Sequence, residues 1–226
     1  MKTCVIIPTY NEAKSIAGLI AAIRQNAADA AIVVIDDGST DDTYRLAQKS
    51  RATVLRNETN EGKGACLAKG FNYAVLNGFD AVITMDGDGQ HLPEDVAYFI
   101  NLAKYSDSAM LIGNRMCNPK NMPYLRILTN KFMSWLISKA AKQKIYDTQC
   151  GFRLIKREIF EKIKLTTRKY ETESEILIKA ARLGFKIQSV PIKSVYLDEK
   201  SRINPFLDTL RFIRFITGEF IRKSDG

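Results

Sequence analysis

Three oxygen-bearing side chains stand at alternate positions in Asp86-x-Asp88-x-Gln90, directly after the apolar run 81–85. Magnesium and manganese ions prefer oxygen ligands in proteins, and substrate phosphates often complete their coordination. The spacing therefore predicts a divalent metal site at the end of a strand, where the ion would neutralise charge on a phosphate leaving group. Because Asp-Gly pairs are also common turn formers, a plain turn is an equal alternative for this motif taken alone.

A second pair of carboxylates, Asp36 and Asp37, ends the apolar run 31–35. Acidic residues at such a position accept hydrogen bonds from the ribose or the base in nucleotide-binding folds, although an Asx turn is the commoner explanation of a single pair. Lys63 lies between two glycines, where a lysine either reaches a phosphate group or is solvated on a flexible loop. Since polar motifs of this kind follow one apolar run after another, we predict that they form one site.

The elements that must position these residues are strands and helices in alternation. The apolar runs 5–7, 31–35 and 53–55 are each followed by polar residues and then by a helical pattern, and 81–85 repeats the strand signal. Runs this uniformly apolar predict an α/β fold with a mostly parallel central sheet and helices on both faces, formed as one domain by the 226 residues. Ligands bind such sheets beyond the carboxyl ends of the strands, which is where the polar motifs lie.

The charge of the chain is unevenly distributed. Lys and Arg number 34 against 25 Asp and Glu, a net charge of +9, yet residues 114–169 alone contain 14 basic and 3 acidic residues. Such a surplus predicts an anionic partner, namely a nucleic acid, an anionic membrane or a phosphorylated molecule. Residues 1–113 contain 10 basic and 14 acidic residues, so the predicted metal site lies in an acidic half of the chain.

The remaining composition excludes several classes of protein. With 46% hydrophobic and 26% charged residues, the chain is neither disordered nor a disulfide scaffold. Its four cysteines are widely spaced and indicate neither a zinc site nor a redox pair. The N-terminus lacks the apolar core of a signal peptide, and no run approaches the roughly 18 apolar residues of a spanning helix. We therefore expect a cytoplasmic protein that meets a membrane only from its surface.

The basic segment also has the pattern of an amphipathic helix that lies on a membrane surface. Its cations include Arg126, Lys131 and Lys139, and its apolar residues are Tyr124, Leu125, Leu128, Phe132, Trp135, Leu136 and Ile137. A second such helix is predicted over 206–226, with one face formed by Phe206, Leu210, Ile213, Thr217 and Phe220. For this C-terminal helix, packing on the core of the chain or on another copy of it, as a homo-oligomer, is an equal alternative.

Six motifs occur in one order between residue 3 and about residue 202. They are Pro8-Thr9-Tyr10-Asn11-Glu12, Asp36-Asp37-Gly38-Ser39-Thr40-Asp41, Asn60-Glu61-Gly62-Lys63-Gly64, Met85-Asp86-Gly87-Asp88-Gly89-Gln90-His91, Gly113-Asn114-Arg115 and Gly151-Phe152-Arg153. Together they resemble the family 2 glycosyltransferases, and among these the polyprenyl-phosphate sugar synthases of the dolichyl-phosphate mannose synthase type. The resemblance implies the GT-A fold, Mg²⁺ or Mn²⁺ as cofactor, a GDP- or UDP-hexose as donor, and inverting transfer to a polyprenyl phosphate at the cytoplasmic membrane face.

The resemblance also assigns roles to individual residues. Two more residues are assigned from the sequence itself, Lys63 from its place between two glycines and Arg153 from its charge. The nucleotide-sugar contacts are Pro8, Tyr10, Glu12, Asp36, Asp37, Lys63 and Asp86, and the metal ligands are Asp86, Asp88 and Gln90. The contacts to the acceptor phosphate are Arg115, Arg126, Arg153, Ser201 and Arg202, and the catalytic group is Asp88, Arg115, Arg126 and Glu173. Asn114 departs from the serine of the family motif. His91, the one histidine, is interpreted as a locally hydrogen-bonded part of the metal loop.

An ionised phosphate acceptor needs cations around it rather than a general base, which fits the basic segment. We therefore predict a donor and metal half (1–113), an acceptor half (114–205) and a C-terminal amphipathic helix (206–226). A saccharide hydroxyl as acceptor is the nearer alternative, and it would make Glu173 indispensable. A nucleic-acid-binding module is a third hypothesis, but no recognition motif supports it, and we expect no nucleic acid as partner. A sugar-1-phosphate nucleotidyltransferase would need a Gly-rich loop near the N-terminus, which is missing.

Overall fold

A computed structural model describes residues 1–120, 122–193 and 205–221. Within these ranges the strands are β1 (Thr3–Thr9), β2 (Ala31–Asp36), β3 (Thr53–Arg56), β4 (Ala81–Thr84), β5 (Met110–Asn114), β6 (Arg153–Lys156) and β7 (Ile187–Pro191). The helices are α1 (Ile16–Asn26), α2 (Thr43–Lys49), α3 (Lys63–Leu76), α4 (Glu94–Tyr105), α5 (Tyr124–Ala141), α6 (Arg157–Phe160), α7 (Glu171–Arg182) and α8 (Pro205–Ile221). The strands and helices predicted for residues 1–113 are present, which confirms the α/β pattern. The predicted Ser201 and Arg202 lie outside the described residues.

The strands form one sheet in the order β3-β2-β1-β4-β6-β5-β7. Four of its six strand pairings are parallel, and β6 runs antiparallel to both β4 and β5. The sheet is therefore mostly parallel, as predicted, with one antiparallel strand that no local pattern indicated. Because β4 and β5 run in the same direction on either side of β6, their carboxyl ends lie at the same edge as those of β1 and β2. The first residue of β6 lies at this edge as well.

The strands that carry the predicted site are buried on both faces. Nearly every residue of β1, β2, β4 and β5 is buried. Helix α1 packs against α2 and α4, whereas α3 packs against α6 and α7, as expected for helices on the two sides of a sheet. Each fully buried Val, Leu or Ile contributes about 1.5–3 kcal/mol, so this core holds the strand ends in register.

Helix α5 is amphipathic, but it buries small and polar residues and exposes its large apolar ones. Its buried residues are Asn130, Ser134, Ile137, Ala140 and Ala141. Its outer face consists of Leu125, Leu128, Phe132 and Trp135, each more than half exposed. The N–H of Thr148 donates to Ser134 Oγ at 3.0 Å, which explains one polar residue on the inner face. A globular helix normally buries its apolar stripe, so α5 presents to solvent the side chains that would usually be covered. Ile137, predicted as part of the apolar stripe, faces inward.

Helix α8 packs on the core of its own chain, which was one of its two predicted alternatives. Phe212, Phe215 and Ile216 contact the core. The guanidinium of Arg182 donates to the carbonyl oxygen of Glu219 at 2.8 Å and also to its carboxylate. Helix α8 contacts α5, so the two helices predicted to be amphipathic are neighbours.

The predicted apolar stripe of α8 lies away from this contact. Ile213 is half exposed and Thr217 is exposed, whereas the side chains of Phe206, Leu210 and Phe220 lie outside the described part of the chain. No helix among the described residues has the length and apolar character needed to cross a membrane.

Helix α7 is tied to the loop before it by the buried Glu175. Its carboxylate accepts hydrogen bonds from the N–H and hydroxyl groups of Thr166 and Thr167 at 2.6–2.9 Å, and it pairs with Lys179 at 2.5 Å. Burial alone would raise the pKa of Glu175, but these partners lower it to about 2. The charged carboxylate is therefore part of what fixes the first turns of α7.

We expect Glu175→Gln to lower the free energy of unfolding near neutral pH by about 3 kcal/mol, the value that corresponds to a pKa lowered from 4.5 to about 2. Because the pKa is lower in the folded state, this stabilisation is fully present above about pH 4.5 and is lost as the pH falls toward 2. Urea unfolding of both proteins from about pH 7 to about pH 3.5 measures the difference between their free energies of unfolding. A difference that does not narrow below about pH 4.5 would contradict the stabilising role of the Glu175 carboxylate.

Candidate active site

The loops that follow β1, β2 and β4 are hydrogen-bonded to one another. The N–H of Asn11 donates to Ser39 Oγ at 2.9 Å, and the N–H of Thr40 donates to Asn11 Oδ1 at 2.9 Å. Asn11 has a φ of 55°, a left-handed conformation that Asn adopts more readily than most residues. Ser15 Oγ donates to the carbonyl of Gly87 at 2.6 Å. The motifs at the strand ends therefore form one connected rim.

Asp37 fixes the loop that leads into α3. Its buried carboxylate accepts hydrogen bonds from Asn57 Nδ2 at 2.8 Å and from the N–H groups of Glu61 and Gly62 at 2.9 and 2.8 Å. With three donors inside the protein, Asp37 has little capacity left for a ligand. In the structure Asp37 therefore fixes the loop before α3.

Asp36 has the opposite surroundings. Its side chain is fully buried, and neither carboxylate oxygen accepts a hydrogen bond from the described residues. The nearest cation is Arg56, whose Nε is 3.1 Å from Asp36 Oδ2 and whose guanidinium lies 4.6 Å from the centre of the Tyr44 ring. A buried acceptor without a donor is costly. Asp36 is therefore the carboxylate of this pair with unused acceptor capacity, but both of its oxygens are buried, so a ligand would reach them only after the surrounding side chains move.

The ammonium of Lys63 joins two parts of the rim. Lys63 is the first residue of α3, and its Nζ is 2.5 Å from Asp86 Oδ1 and 3.1 Å from Glu173 Oε1. A Cβ at Gly64 would collide with Thr172 Oγ1, so glycine at this position lets α3 approach the start of α7. The structure thereby brings together three predicted site residues, Lys63, Asp86 and Glu173, although Lys63 and Glu173 are more than 100 positions apart in the sequence.

Asp86 and Asp88 influence each other's ionisation. Burial opposes the charge on Asp86, but the Lys63 ammonium and the nearby His91 hold the pKa of Asp86 well below its usual range. Burial and the negative charge of Asp86 raise the pKa of Asp88. Asp88 Oδ1 also accepts a hydrogen bond from the N–H of Gln90 at 3.0 Å, so the motif does form the turn that was its alternative interpretation. A further cation at this point would favour ionisation of Asp88.

His91 supports Asp86 from a buried position. Its Nε2 is 3.8 Å from Asp86 Oδ2, and its ring packs 5.5 Å from the centre of the Phe152 ring. His91 Nδ1 has no hydrogen-bond partner among the described residues. The histidine is thus a buried part of the Asp86 loop, as predicted, but at 3.8 Å from Asp86 Oδ2 it does not make the local hydrogen bond expected from the sequence.

A loop of the basic segment passes directly over Asp86. Thr84 Oγ1 donates to the carbonyl of Gly151 at 2.7 Å. A Cβ at Gly151 would lie 2.6 Å from Asp86 Oδ2 and 3.1 Å from Lys63 Nζ. Only glycine leaves the Asp86 carboxylate and the Lys63 ammonium in place under this loop.

Arg153 has a different position from the one predicted for an acceptor contact. Its guanidinium is 1% exposed and donates to the carbonyls of Thr148, Cys150 and Glu173 at 3.0, 2.8 and 2.7 Å. An arginine whose donors are used inside the protein is not placed to bind an acceptor phosphate. Arg153 instead fixes the loop that contains Gly151 and the first turn of α7.

Arg115 is also held in the interior. Its Nε and a terminal nitrogen donate to the two oxygens of Asp147 at 2.7 and 2.9 Å, and its backbone N–H donates to the same carboxylate at 3.1 Å. Such a two-point contact fixes the plane of a guanidinium. Because Asp147 is fully buried, a phosphate would meet an oriented arginine whose charge is already shared.

We expect Asp147→Asn to lower the free energy of unfolding by about 3 kcal/mol, because it leaves the buried Arg115 without its counter-charge. Urea denaturation measures the loss. Asp42→Asn is the matched control, since Asp42 pairs with Arg45 at 3.1 Å but both side chains are 61% exposed; we expect it to change stability by less than about 0.5 kcal/mol. Equal effects of the two substitutions would contradict the structural role of Asp147.

The other predicted residues lie around this cluster. Pro8 is the second-last residue of β1, and a Cβ at Gly87 would lie 3.5 Å from both the Pro8 carbonyl oxygen and Glu12 Cγ, so this segment adjoins the Asp86 loop. Tyr10 is partly buried between Pro8 and Glu12. Arg126 is exposed in the first turn of α5.

Two residues of the site were missed from the sequence. Asp147 carried a signal, because it is the one acidic residue among 114–157, and a single carboxylate in a basic stretch points to an internal ion pair. Thr84 carried none, because its hydrogen bond to Gly151 depends on the pairing of β4 with the distant β6.

The donor set fits a divalent cation that binds together with a phosphate ligand. Among the described residues, no group of three His, Cys, Asp or Glu side chains could hold a metal without further ligands. Magnesium is commonly bound by one or two carboxylates plus substrate phosphates, and Asp86 with Asp88 matches that arrangement. The raised pKa of Asp88 beside Asp86 reflects a repulsion that a cation would relieve.

Comparison with known proteins defines the class to which this fold and rim belong. The chain belongs to glycosyl transferase family 2, whose profile matches residues 4–164. It is therefore a glycosyltransferase, and the resemblance seen in its six motifs is confirmed. The sheet with one antiparallel strand is that of the GT-A fold.

Two relatives and one solved structure illustrate the match. The chain is 30% identical to UDP-N-acetylglucosamine--dolichyl-phosphate N-acetylglucosaminyltransferase of Methanococcus voltae, over 85% of each protein. It is 29% identical to polyprenol monophosphomannose synthase of Mycolicibacterium smegmatis, over 84% of this chain and 76% of the relative. Glucosyl-3-phosphoglycerate synthase from Mycobacterium tuberculosis, in complex with Mn²⁺, UDP and glucosyl-3-phosphoglycerate, superposes with a TM-score of 0.74 at 20% identity and covers 98% of this chain and 79% of its own.

Proposed function

We propose that this glycosyltransferase is metal-dependent and inverting, and that it moves a hexose from a GDP- or UDP-sugar to a polyprenyl phosphate at the cytoplasmic face of a membrane. The observation that carries the proposal is the junction at Lys63, whose ammonium contacts Asp86 on the donor side and Glu173 on the acceptor side at 2.5 and 3.1 Å. The relatives from Methanococcus voltae and Mycolicibacterium smegmatis, which are named as a dolichyl-phosphate N-acetylglucosaminyltransferase and a polyprenol monophosphomannose synthase, support a lipid phosphate as acceptor.

The donor half is assigned to residues 1–113. Asp36, with two buried oxygens that accept no hydrogen bond, is assigned to the nucleoside together with Pro8, Tyr10 and Glu12. Asp86, Asp88 and Gln90 are assigned to Mg²⁺ or Mn²⁺, which when bound would neutralise charge on the diphosphate leaving group. The joint presence of Mn²⁺ and UDP in the mycobacterial structure of the same fold supports this assignment.

The acceptor half is assigned to residues 114–205. A phosphate monoester is mostly ionised near neutral pH, so its oxygen can attack the anomeric carbon without a general base. The new bond forms as the bond to the nucleoside diphosphate breaks, and a single displacement of this kind inverts the anomeric centre. Arg126 is exposed and accessible to an acceptor phosphate, and Ser201 and Arg202 keep the same assignment, whereas Arg115 contributes an oriented guanidinium.

The membrane surface is assigned to the outer face of α5, formed by Leu125, Leu128, Phe132 and Trp135. The rings of Phe132 and Trp135 stack with centres 6.1 Å apart, and Lys139 Nζ lies 5.2 Å from the centre of the Trp135 ring. Aromatic rings beside cations are typical of a helix that lies at the lipid interface. Each nearby cation contributes about 1 kcal/mol toward an anionic surface. The exposed Ile213 extends the assignment to α8, within the predicted segment 206–226.

We expect the double substitution Leu128→Glu and Phe132→Glu to weaken binding to vesicles of anionic phospholipid more than tenfold. Burying each side chain in lipid contributes about 1.5–3 kcal/mol, and the added carboxylates repel the surface. Leu76→Glu with Tyr105→Glu is the matched control, because both residues are exposed, at 85% and 91%, but lie outside α5 and α8. Vesicle co-sedimentation measures the binding of both double variants. Equal losses of vesicle binding would contradict the assignment of α5 to the membrane surface.

The function is tested by incubating the protein with Mn²⁺, a short polyprenyl phosphate and each of several GDP- and UDP-hexoses. We expect one donor to yield a lipid-linked sugar and a free nucleoside diphosphate in equal amounts. Addition of EDTA should abolish the product. The absence of a lipid-linked sugar with every donor would overturn the proposal.

A saccharide hydroxyl as acceptor is the second candidate, and Glu173 distinguishes it. A hydroxyl needs a base to remove its proton, so Glu173→Gln would then lower kcat by about 10²–10⁴-fold. With a phosphate acceptor we expect kcat at saturating Mn²⁺ to stay within about threefold of wild type, because Glu173 holds Lys63 and takes no proton.

A further inference from the structure

The ammonium of Lys63 occupies the position of a counter-cation within the carboxylate cluster. It lies 2.5 Å from Asp86 Oδ1 and is mostly buried, with 17% of its side chain exposed. The charges of Asp86 and Glu173 raise the pKa of Lys63 against the opposing effect of burial. The cluster therefore contains a fixed positive charge before any metal ion arrives.

If Asp86 bound a divalent cation while Lys63 kept its present position, the ion and the Lys63 ammonium would repel each other. Two like charges a few ångströms apart in a partly buried site interact strongly, and the charge of two on the ion doubles the effect. The two cations would also share one carboxylate, because Lys63 contacts Asp86 Oδ1 while Asp86 Oδ2 lies beneath Gly151 and 3.8 Å from His91 Nε2. Binding of the ion at Asp86 therefore requires the ammonium to withdraw from it.

Glu173 provides the position to which Lys63 can withdraw. Its Oε1 is 3.1 Å from Lys63 Nζ, and the Glu173 backbone is fixed because its carbonyl accepts a hydrogen bond from Arg153 at 2.7 Å. A lysine side chain has four rotatable bonds, so Nζ can leave Asp86 while it keeps its contact with Glu173. A Cβ at residue 151 would lie 3.1 Å from Lys63 Nζ, so glycine at this position avoids a close contact with the ammonium.

We propose that Lys63 is a built-in competitor of the divalent cation, which must be displaced from Asp86 toward Glu173 when the metal and the donor diphosphate bind. This inference rests on the proposed function, since it concerns the metal of that same site. It assigns Lys63 a positioning role in addition to the phosphate contact expected from its motif, and it assigns Glu173 a role that involves no proton transfer.

The test is the affinity for Mn²⁺ without nucleotide, measured from the loss of the free-ion signal in electron paramagnetic resonance. We expect Lys63→Met to bind Mn²⁺ at least tenfold more tightly than wild type, and Lys63→Arg, which keeps the charge, to stay within threefold of it. Lys169→Met is the matched control. Lys169 lies near the same loop, but its Nζ donates to Asn60 Oδ1 at 3.5 Å and not to Asp86. We expect no more than a twofold change for this variant.

Glu173→Gln provides a second measurement with the opposite sign. Of the two carboxylates that contact Lys63, this substitution leaves only that of Asp86, so we expect Mn²⁺ to bind several-fold more weakly. In a protein that also carries Lys63→Met, we expect Glu173→Gln to weaken Mn²⁺ binding less. Unchanged or weaker Mn²⁺ binding by a folded Lys63→Met protein overturns the competition while leaving the proposed function intact. Failure of every protein, wild type included, to bind Mn²⁺ even with UDP or GDP overturns both.

Discussion

Asp88→Asn is expected to lower kcat/KM for sugar transfer by about 1,000-fold, equivalent to about 4 kcal/mol of transition-state stabilisation. The asparagine keeps the shape of the side chain but removes the charge that would balance a divalent cation on the leaving diphosphate. Stability should not fall, because the pKa of Asp88 is already raised by burial and by Asp86, and the neutral amide relieves that repulsion. Steady-state kinetics and thermal unfolding of the same preparation measure the two effects.

Asp107→Asn is the control for the Asp88 prediction. Asp107 is an exposed carboxylate that pairs with Lys186 at 2.8 Å, and both residues precede the amino ends of the parallel strands β5 and β7, at the edge of the sheet opposite the rim. We expect its kcat/KM to stay within about twofold of wild type. If Asp88→Asn kept more than about a tenth of the wild-type activity, the metal assignment of Asp88 would be wrong.

Gly151→Ala is expected to lower kcat/KM about 100-fold while changing the unfolding temperature by only a few degrees. The added Cβ would lie 2.6 Å from Asp86 Oδ2 and 3.1 Å from Lys63 Nζ, so these side chains must move. The ends of flexible side chains can move at little cost to the fold, but a displacement of about 1 Å at the reacting groups is costly for catalysis. The separation of activity from stability is therefore the diagnostic result.

Gly18→Ala is the control for this prediction. Gly18 lies within α1, and a Cβ there would meet no atom within 4 Å. Alanine in a helix interior is more favourable than glycine by about 0.5–1 kcal/mol, so we expect slightly higher stability and unchanged activity. Parallel losses of activity and stability in Gly151→Ala would instead indicate a general disruption of the fold.

The sequence predicted the donor half well because its signals are local. Each apolar run identified in residues 1–113 is a strand, buried except for the edge strand β3, and polar residues follow it directly. The carboxyl ends of parallel strands must share an edge. The strand that begins at Thr53 was predicted correctly for the same reason. The antiparallel β6 could not be predicted, since its partners β4 and β5 are chosen by tertiary packing and not by a pattern within four residues.

The acceptor half was predicted less well because its arginines have distant partners. Arg115 pairs with Asp147, 32 positions away, and Arg153 donates to a carbonyl 20 positions away at Glu173. Sequence charge predicted phosphate contacts, whereas burial directs both guanidinium groups inward. Helical spacing identified α5 as an amphipathic helix with Phe132 and Trp135 on its interfacial face, and both are exposed, but it did not indicate that Asn130 and Ser134 face the core or that Ile137 is buried.

The central claim is that Asp86 and Asp88 hold the donor diphosphate through a divalent cation. Isothermal titration of UDP and of GDP into the protein, with Mn²⁺ and with EDTA, tests it most directly. We expect one nucleotide to bind at least about tenfold more tightly with Mn²⁺ than with EDTA, a difference of about 1.4 kcal/mol or more, and Asp88→Asn to abolish this difference. Equal affinities with Mn²⁺ and with EDTA, or an undiminished Mn²⁺ effect in Asp88→Asn, would contradict the account.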